Sequence, residues 1–348
     1  IDLATGNYFA DTLAANTTYT LSNAGAVQAF QLEVTGGSVG YDISAAVYDS
    51  VSFSVASQET NPLGLAFNND GTKMYVVGSI SDTVYQYSLS TAFDLSTASY
   101  DSISFSVASQ EATPTDIAFN NDGTKMYIVG ASSRSVHQYS LSTAFDLSTS
   151  SYDSVSFSFN SQDTSTYGIA FNNAGTKIYM VGNTTDSLYQ YSLSTAFDVS
   201  TVSYDSVSFS VASQDTTPRG VTFNTDGTKM LLVGITGDNV YQYSLSTAFD
   251  LSTASYDSVS FSVALDTAPS GVVFNSDGTK MYILGATNDT IYQYSTATDT
   301  TLTWPSSIEW AGGVAPSAPA NGETDVFTFV TDDGGTTYTG VKSIDNAS

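Results

Sequence analysis

Residues 48–99 read YDSVSFSVASQETNPLGLAFNNDGTKMYVVGSISDTVYQYSLSTAFDLSTAS, and the chain then repeats this unit. The opening tripeptide Tyr-Asp-Ser recurs every 52 residues, at Tyr48, Tyr100, Tyr152, Tyr204 and Tyr256. A fixed period of this length is typical of a solenoid, a propeller or another array of equal units. The fold can therefore be predicted from one unit.

One unit contains four runs of strand type. Residues 51–55 alternate valine or phenylalanine with serine, which is the period of two of a half-buried strand. Residues 65–67 and 74–77 are apolar and flank an Asn-Asp-Gly turn, a strong hairpin signal because glycine adopts positive φ at little cost. Residues 84–89 supply the fourth run. Four antiparallel strands in about 50 residues are typical of a propeller blade.

The strands of a blade are lettered a to d from the central axis outward. In the first repeat they are predicted at residues 65–67, 74–77, 84–89 and 103–107. The chain holds five sets of strands a, b and c, and five d strands, of which the first, residues 51–55, precedes every set. This strand is predicted to pair with the last c strand, residues 291–295, so that no sheet edge stays open. The predicted fold class is all-β, with a five-bladed propeller and a one-plus-three closure over residues 47–296.

Composition excludes some functional classes. The 348 residues include 34 acidic and 8 basic side chains, for a formal net charge of −26. Nucleic acid is therefore not an expected partner, since binding to phosphates needs a basic surface. No apolar run reaches the roughly 18 residues of a spanning helix, so membrane insertion is not expected. The absence of cysteine rules out disulfides, and the many Ser, Thr, Asn and Asp residues favour an extracellular or virion protein.

The segments on either side of the ring do not share its repeat. Residues 1–40 and 298–348 are each too short to fold well alone, but together they suffice for a small β domain. A ring whose two ends lie on neighbouring strands can be inserted into an exposed loop of such a domain. We therefore predict a split, β-sandwich-like domain that carries the propeller.

Three details of this split domain are predicted. Residues 30–34 and 301–304 are expected to be neighbouring strands, because they meet where the ring is inserted. Gly36-Gly37 is expected to end the first of these strands. Trp304 or Trp310 is expected in a core that both flanks share.

Two family resemblances follow from these motifs. The flanks resemble a β domain of bacteriophage virion and tail-fibre proteins, through residues 5–9, 16–19, 303–310 and 331–338. That resemblance implies a structural component of a virus particle. The repeat at residues 66–77 is similar to lactonase-like or YVTN-type propeller repeats, and this similarity implies a fold rather than an activity.

No catalytic or metal site is predicted, because such a site should depart from the repeat. The single histidine, His137, replaces a strand c tyrosine, which favours an aromatic packing role. The aspartate of the a–b turn is Ala174 in the third blade, a change that a turn tolerates and a metal ligand does not. These turns also lack the carboxylate spacing of a calcium loop. A lactonase would need a metal or acid–base cluster at the centre of the ring, so neither a cofactor nor enzymatic activity is expected.

Sequence differences between the blades collect in the d–a and b–c connections, which should emerge on one face of the ring. One position before strand a differs in every blade, and a variable b–c loop carries an arginine. Divergent loops on a rigid scaffold are where binding is usually found. The predicted contact residues are Leu63, Thr115, Arg134, Tyr167, Arg219 and Ser270.

The leading hypothesis is a non-enzymatic virion structural protein, such as a tail-fibre, head-fibre or decoration component. Its partners would be a host cell-surface glycan or protein, or other virion subunits, in a homo-oligomeric assembly. One alternative is an adhesin or extracellular filament subunit at a bacterial cell surface. The other is a secreted propeller enzyme, a lactonase or a glycosidase, which turnover of a lactone or glycan would reveal.

Overall fold

The computed structural model describes residues 1–13, 17–35, 38–296, 298–299, 302–311, 313–319 and 323–344. The chain divides into two compact units, Ile1–Asp42 with Ala297–Ser348, and Ile43–Thr296. The predicted break at Gly36-Gly37 lies outside the described residues, as do Asn16 and Thr301 of the predicted flank segments.

The second unit is a propeller of five four-stranded antiparallel blades, which confirms the predicted fold. The a strands are Pro62–Phe67, Pro114–Phe119, Thr166–Phe171, Pro218–Phe223 and Pro269–Phe274. The b strands are Lys73–Gly78, Lys125–Gly130, Lys177–Gly182, Lys229–Gly234 and Lys280–Gly285. The c strands are Thr83–Leu89, Ser135–Leu141, Ser187–Leu193, Asn239–Leu245 and Thr290–Ser295. The d strands are Ala98–Ser106, Ser150–Ser158, Val202–Ser210, Ala254–Ser262 and, for the fifth blade, Val47–Ser54.

The predicted closure of the ring is confirmed. Strand Val47–Ser54 pairs antiparallel with Thr290–Ser295, and Phe53 lies opposite Ile291 in the register. The pairing has the same register shift as in the continuous blades, where Gln86 and Tyr87 mark it in the first blade. The first d strand therefore completes the last blade and no outer edge is left open at the seam.

Neighbouring blades are joined by a repeated side-chain hydrogen bond. The strand c glutamine accepts a backbone N–H from the next c–d connection, as Gln86 Oε1 does from Leu147 N at 3.0 Å. Across the closure, Gln293 Oε1 accepts from Leu95 N at 3.1 Å. Because these N–H groups and amides are buried, each bond satisfies polar groups that would otherwise destabilise the interface.

Each of these N–H groups begins a short 3-10 helix. The helices are Ile43–Ala45, Leu95–Thr97, Leu147–Thr149, Val199–Thr201 and Leu251–Thr253. Ile43 N donates to Gln242 Oε1 at 3.3 Å, so the first helix supplies the contact for the fourth blade. The ring therefore begins at Ile43, four residues before the predicted boundary at residue 47. No helix in the described part of the chain is long and apolar enough to cross a membrane.

The a–b turns use their aspartate for structure. Asp70 Oδ1 accepts from the backbone N and the Oγ1 of Thr72, at 3.0 and 2.6 Å. Where the third blade has Ala174, Asn172 Oδ1 accepts from Thr176 N at 2.9 Å instead. A neighbouring side chain thus replaces the missing carboxylate, and the predicted turn role is confirmed.

The first unit contains one five-stranded sheet and two short strand pairs. The order in the sheet is Tyr8–Thr12, Gln28–Thr35, Thr324–Thr331, Tyr338–Ile344 and Ile308–Trp310. The pairs are Thr17–Thr18 with Leu302–Thr303, and Ser38–Val39 with Thr298–Asp299. Trp304 and Trp310 both pack against a core that includes Phe30 and Phe327. This confirms that a tryptophan lies in a core shared by the two flanks.

The predicted neighbour of residues 30–34 is wrong. Phe30 lies opposite Phe329 of strand Thr324–Thr331, whereas Leu302–Thr303 pairs with Thr17–Thr18. Phe327 and Phe329 are fully buried and alternate with more exposed residues, so this strand matches the apolar face of Gln28–Thr35. The segment at 302–303 is only two residues long, and Leu302 is its single apolar side chain.

A matched pair of substitutions tests the closure. Asp49 in the closing strand forms an ion pair with Lys280, with Oδ2 and Nζ 2.6 Å apart. Asp153 in the second blade forms the equivalent pair with Lys125 at 2.7 Å. Burial opposes ionisation of both carboxyls, but hydrogen bonds from the lysine and its neighbours hold the pKa of each below its usual range. Asp49→Asn and Asp153→Asn should each lower the free energy of unfolding at pH 7 by about 1–3 kcal/mol.

Urea denaturation measures both variants. Because the folded pKa of each carboxyl is lowered, its stabilising effect is present above the unfolded pKa and is lost as the pH falls through the folded value. The difference from wild type should therefore shrink in acid. A normal stability for Asp49→Asn beside a reduced stability for Asp153→Asn would contradict a closure equivalent to the continuous blades.

Candidate functional site

The five a strands surround a cavity of ≈ 210 Å³ on the axis of the ring. Its lining includes the terminal phenylalanines of three of these strands, Phe67, Phe171 and Phe223, and one residue of an a–b turn, Asn173. Most lining residues are apolar or glycine. The polar side chains among the described lining residues are Asp116, Asn173 and Thr222, of which only the first is ionisable.

Asp116 occupies a position that is glycine in every other blade. The equivalent residues are Gly64, Gly168, Gly220 and Gly271. At two of these positions a side chain would collide with the next blade, since a Cβ at Gly64 would lie 2.6 Å from the Cα of Asp116 and one at Gly168 would lie closer still to the carbonyl oxygen of Arg219. The second blade departs from this rule at one position, inside the cavity.

The Asp116 carboxylate is held between two blades. Its Oδ2 accepts the backbone N–H of Ile169 in the third blade at 2.9 Å, and its Oδ1 accepts the N–H of Ile117 at 2.8 Å. Burial raises the pKa of Asp116 to about 7, and the two backbone hydrogen bonds only partly offset that effect. A carboxyl with a pKa near neutrality can both accept and return a proton at physiological pH.

Backbone donors surround this carboxylate. Strand a pairs with strand b on one edge, and its other edge faces the cavity, where Ile117 and Ile169 direct their N–H groups at Asp116. The same repeat position is Leu65, Val221 and Val272 in the other blades, and all three line the cavity. Backbone N–H groups on such an edge are suitable donors for an oxyanion that develops on a substrate carbonyl.

Two of the six predicted contact residues are buried between blades. Thr115 Oγ1 donates to the carbonyl oxygen of Tyr167 at 2.9 Å, and Ser270 Oγ donates to that of Pro62 at 3.2 Å. Thr115 is 3% exposed and Ser270 is 6% exposed. The structure therefore gives these two hydroxyls a role in joining blades rather than in contacting a surface partner.

The other four predicted residues lie in or next to the variable connections. The guanidinium carbon of Arg219 lies 3.5 Å from the centroid of the Tyr167 ring, and burial lowers the pKa of Arg219 to about 10. Arg134 is exposed and donates from Nη1 to Asn160 Oδ1 at 3.0 Å. Leu63 is half-buried. A binding role for these four residues stays a prediction.

His137 takes part in a hydrogen-bond chain that the repeat also builds with tyrosine. Its Nε2 lies 2.9 Å from Ser133 Oγ, which donates to Glu111 Oε2 at 2.5 Å. In the third blade, Tyr189 Oη donates to Thr185 Oγ1 at 2.8 Å in the same arrangement. Burial lowers the pKa of His137. This placement confirms the predicted packing role, since the histidine lies outside the axial cavity.

Each d–a connection holds one buried carboxylate. These residues are Glu59, Glu111, Asp163, Asp215 and Asp266. Each accepts backbone N–H groups of the b–c loop of its own blade, as Glu59 Oε2 does from Ser81 N at 3.1 Å. The two variable connections therefore lie on the same face, as predicted. Within the described ranges, no group of three or more His, Cys, Asp or Glu residues could hold a metal ion.

Asp116 was not among the predicted residues, although its signal is present in the sequence. The a strand reads Gly at this position in four blades and Asp in the second. The change from four identical glycines to a carboxylate is the sequence signal that marks this position.

A protein-family model described as "Lactonase, 7-bladed beta-propeller" matches residues 24–250, which is well over half of the chain. The structure has five blades where that description has seven. No curated protein sequence matches the chain.

Several solved structures are similar to the chain at low sequence identity. A candidate 6-phosphogluconolactonase from Bacteroides uniformis is 14% identical, with 64% of this chain and 63% of that chain covered and a TM-score of 0.42. One from Bacteroides fragilis is 13% identical, with 80% and 69% covered and a TM-score of 0.43. A protein of unknown function from Desulfotomaculum acetoxidans is 15% identical, with 64% and 62% covered and a TM-score of 0.41. The chain thus spans less than two thirds of two of these three structures.

These findings correct the functional expectation. The hypothesis of a non-enzymatic virion structural protein is wrong, because the matching family is named for an enzyme and no comparison points to a virus particle. The resemblance of the repeat at residues 66–77 to lactonase-like propellers is confirmed. The extent of the match over residues 24–250 shows that the chain belongs to the lactonase family of β-propellers.

Proposed function

We propose that this chain is a lactone hydrolase whose general base is Asp116. Membership of the lactonase family supports the reaction class. The observation that carries the proposal is the replacement of a repeated glycine by a carboxylate with a pKa near neutrality, at the centre of the ring. An extracellular location is part of the same proposal and rests on the many Ser, Thr, Asn and Asp residues.

In the proposed reaction, the Asp116 carboxylate accepts a proton from a water molecule while the water oxygen attacks the lactone carbonyl carbon. The electron pair of the carbonyl π bond moves to the carbonyl oxygen. Backbone N–H groups on the strand a edges that face the cavity, such as that of Val221, stabilise this oxyanion. The carbonyl then reforms as the ring C–O bond breaks. The protonated Asp116 returns its proton to the leaving alkoxide, so that the product is one hydroxycarboxylic acid.

A purely structural role is the rival explanation of Asp116. Its Oδ2 joins the second and third blades through Ile169 N, and that bond could account for the carboxylate without any reaction. Two variants separate the catalytic role from the structural role. Asp116→Gly restores the residue that the other blades use, and Asp116→Asn keeps a hydrogen-bond acceptor of the same shape.

The first prediction concerns the rate. Asp116→Asn should lower kcat/KM for lactone hydrolysis by roughly 10²–10⁴-fold, because an amide cannot accept the proton. In the wild type, kcat/KM should rise with pH through an apparent pKa of about 7, since the carboxylate is the active form. A pH-stat or indicator assay of acid release over pH 5–9 measures both.

The matched control is Asp122→Asn in the a–b turn of the same blade. Its carboxylate is exposed and accepts from Thr124 N at 3.0 Å, outside the axial cavity. This variant should retain the wild-type rate and pH profile. Hydrolysis by folded Asp116→Asn at the wild-type rate would refute the proposed base.

The second prediction concerns stability, and it needs no substrate. Because the folded pKa of Asp116 is raised, the folded state holds this proton between the unfolded value near 3.9 and about 7, whereas the unfolded state has lost it. The wild type should therefore lose stability between pH 5 and pH 8, by at most about 3 kcal/mol relative to the variants. Asp116→Asn and Asp116→Gly both remove this contribution.

Urea denaturation at several pH values measures the effect. Other groups titrate in the same range, but they are common to the wild type and the variants, so the difference isolates Asp116. Parallel pH dependence of the wild type and both variants would show that this carboxyl has an ordinary pKa.

A further inference from the structure

The axial cavity is uncharged apart from Asp116. The other polar side chains in its lining are those of Asn173 and Thr222, and no lysine or arginine is among the described lining residues. The remaining wall consists of apolar side chains and glycine. A substrate that enters this space meets one acidic group and no basic partner.

The basic residues nearest to the strand a ends are directed elsewhere. Strand b begins with a lysine in every blade, and four of these lysines form ion pairs with d-strand aspartates. The pairs are Lys125–Asp153, Lys177–Asp205, Lys229–Asp257 and Lys280–Asp49, at 2.7, 3.3, 3.8 and 2.6 Å. Arg219 stacks on Tyr167 and does not line the cavity. Because no lysine or arginine is among the described residues that line the cavity, an anionic group of a substrate would find no cationic partner in its wall.

An apolar groove continues from this cavity. A space of ≈ 300 Å³ lies between the a strands of the first and fifth blades. Its apolar walls are formed by Phe67, Phe93, Val273 and Phe274, and its uncharged polar lining residues are Asn68, Asn69 and Ser276. Phe67 and Val273 line both spaces, so the groove adjoins the cavity that holds Asp116. Burial of an alkyl group here would contribute about 0.8 kcal/mol per methylene.

We propose that the substrate is an uncharged lactone whose ring lies beside Asp116 and whose apolar substituent occupies the groove of Phe67, Phe93, Val273 and Phe274. This inference rests on the proposed function. An anionic substituent, such as a phosphate or carboxylate, would face the Asp116 carboxylate without a compensating cation. The free-energy cost of removing this anion from water would therefore not be offset by an ion pair. The wall chemistry therefore selects against phosphorylated sugar lactones.

Calorimetric titration with lactams tests the inference independently of turnover, because a lactam keeps the ring carbonyl and is not readily hydrolysed. The probes are a δ-lactam with a six-carbon alkyl chain, the same lactam with a terminal carboxylate on that chain, and the unsubstituted ring. The alkyl lactam should bind at least tenfold more tightly than either of the others. Discrimination against the carboxylate should increase from pH 6 to pH 8 as Asp116 ionises.

Two isosteric substitutions locate the alkyl chain. Val273→Thr places in the groove the residue that the fourth blade has at this position, Thr222, so the fold should tolerate it. It should reduce the preference for the alkyl lactam over the unsubstituted ring by about tenfold. Val202→Thr makes the same atomic change in an outer d strand and should leave that preference at the wild-type value.

The outcomes separate this inference from the proposed function. Equal or tighter binding of the carboxylate lactam, or equal effects of Val273→Thr and Val202→Thr, would overturn the substrate class even if lactones are hydrolysed in an Asp116-dependent way. Tight binding of the alkyl lactam without hydrolysis of any lactone would instead support the binding site and overturn the proposed reaction.

Discussion

The inner strands of this five-bladed ring approach one another so closely that a side chain collides where they meet. A Cβ at Gly64 would lie 2.6 Å from the backbone of the next blade, and one at Gly220 would lie 3.0 Å from the carbonyl oxygen of Ser270. The rest of each blade holds the strands at this separation. Strand b is buried on both faces, and the strand c glutamines join each blade to the next. The consequence is a short axial cavity with little room for side chains.

Asp116 is the exception to this constraint, and its chemistry follows from its position. It replaces close backbone contact with a hydrogen bond to Ile169, and the low exposure that this position imposes raises the pKa of the carboxyl to about 7. The same geometry places strand-edge N–H groups around the carboxylate. In the proposed mechanism, this single substitution supplies the general base, and the strand edges that every blade shares supply the oxyanion donors.

The repeat made the fold predictable, because each hairpin turn and alternating strand was read five times, and the count of strands required the closure by Val47–Ser54. Two features escaped because they break the pattern of strands. Asp42-Ile43-Ser44 matches Asp94-Leu95-Ser96, yet it lies outside the Tyr-Asp-Ser period, so the ring was predicted to begin only at residue 47. Asp116 was not predicted as a site residue, because its importance depends on the close approach of neighbouring inner strands, which no sequence pattern reports. The flank motif at residues 331–338 misled for a related reason: Asp333 caps a turn by accepting from the N–H groups of Thr336 and Thr337, which is local structure rather than evidence of a virion.

The central claim is that Asp116 is a half-buried carboxyl which titrates near neutrality beside a substrate site. Carbon-13 NMR of protein labelled at the aspartate carboxyl carbons measures this directly, with Asp116→Asn identifying the signal. The account predicts a titration midpoint of about 7 and a change in that signal when the uncharged alkyl lactam is added. A midpoint near the ordinary value of about 3.9, with no response to the lactam, would contradict it.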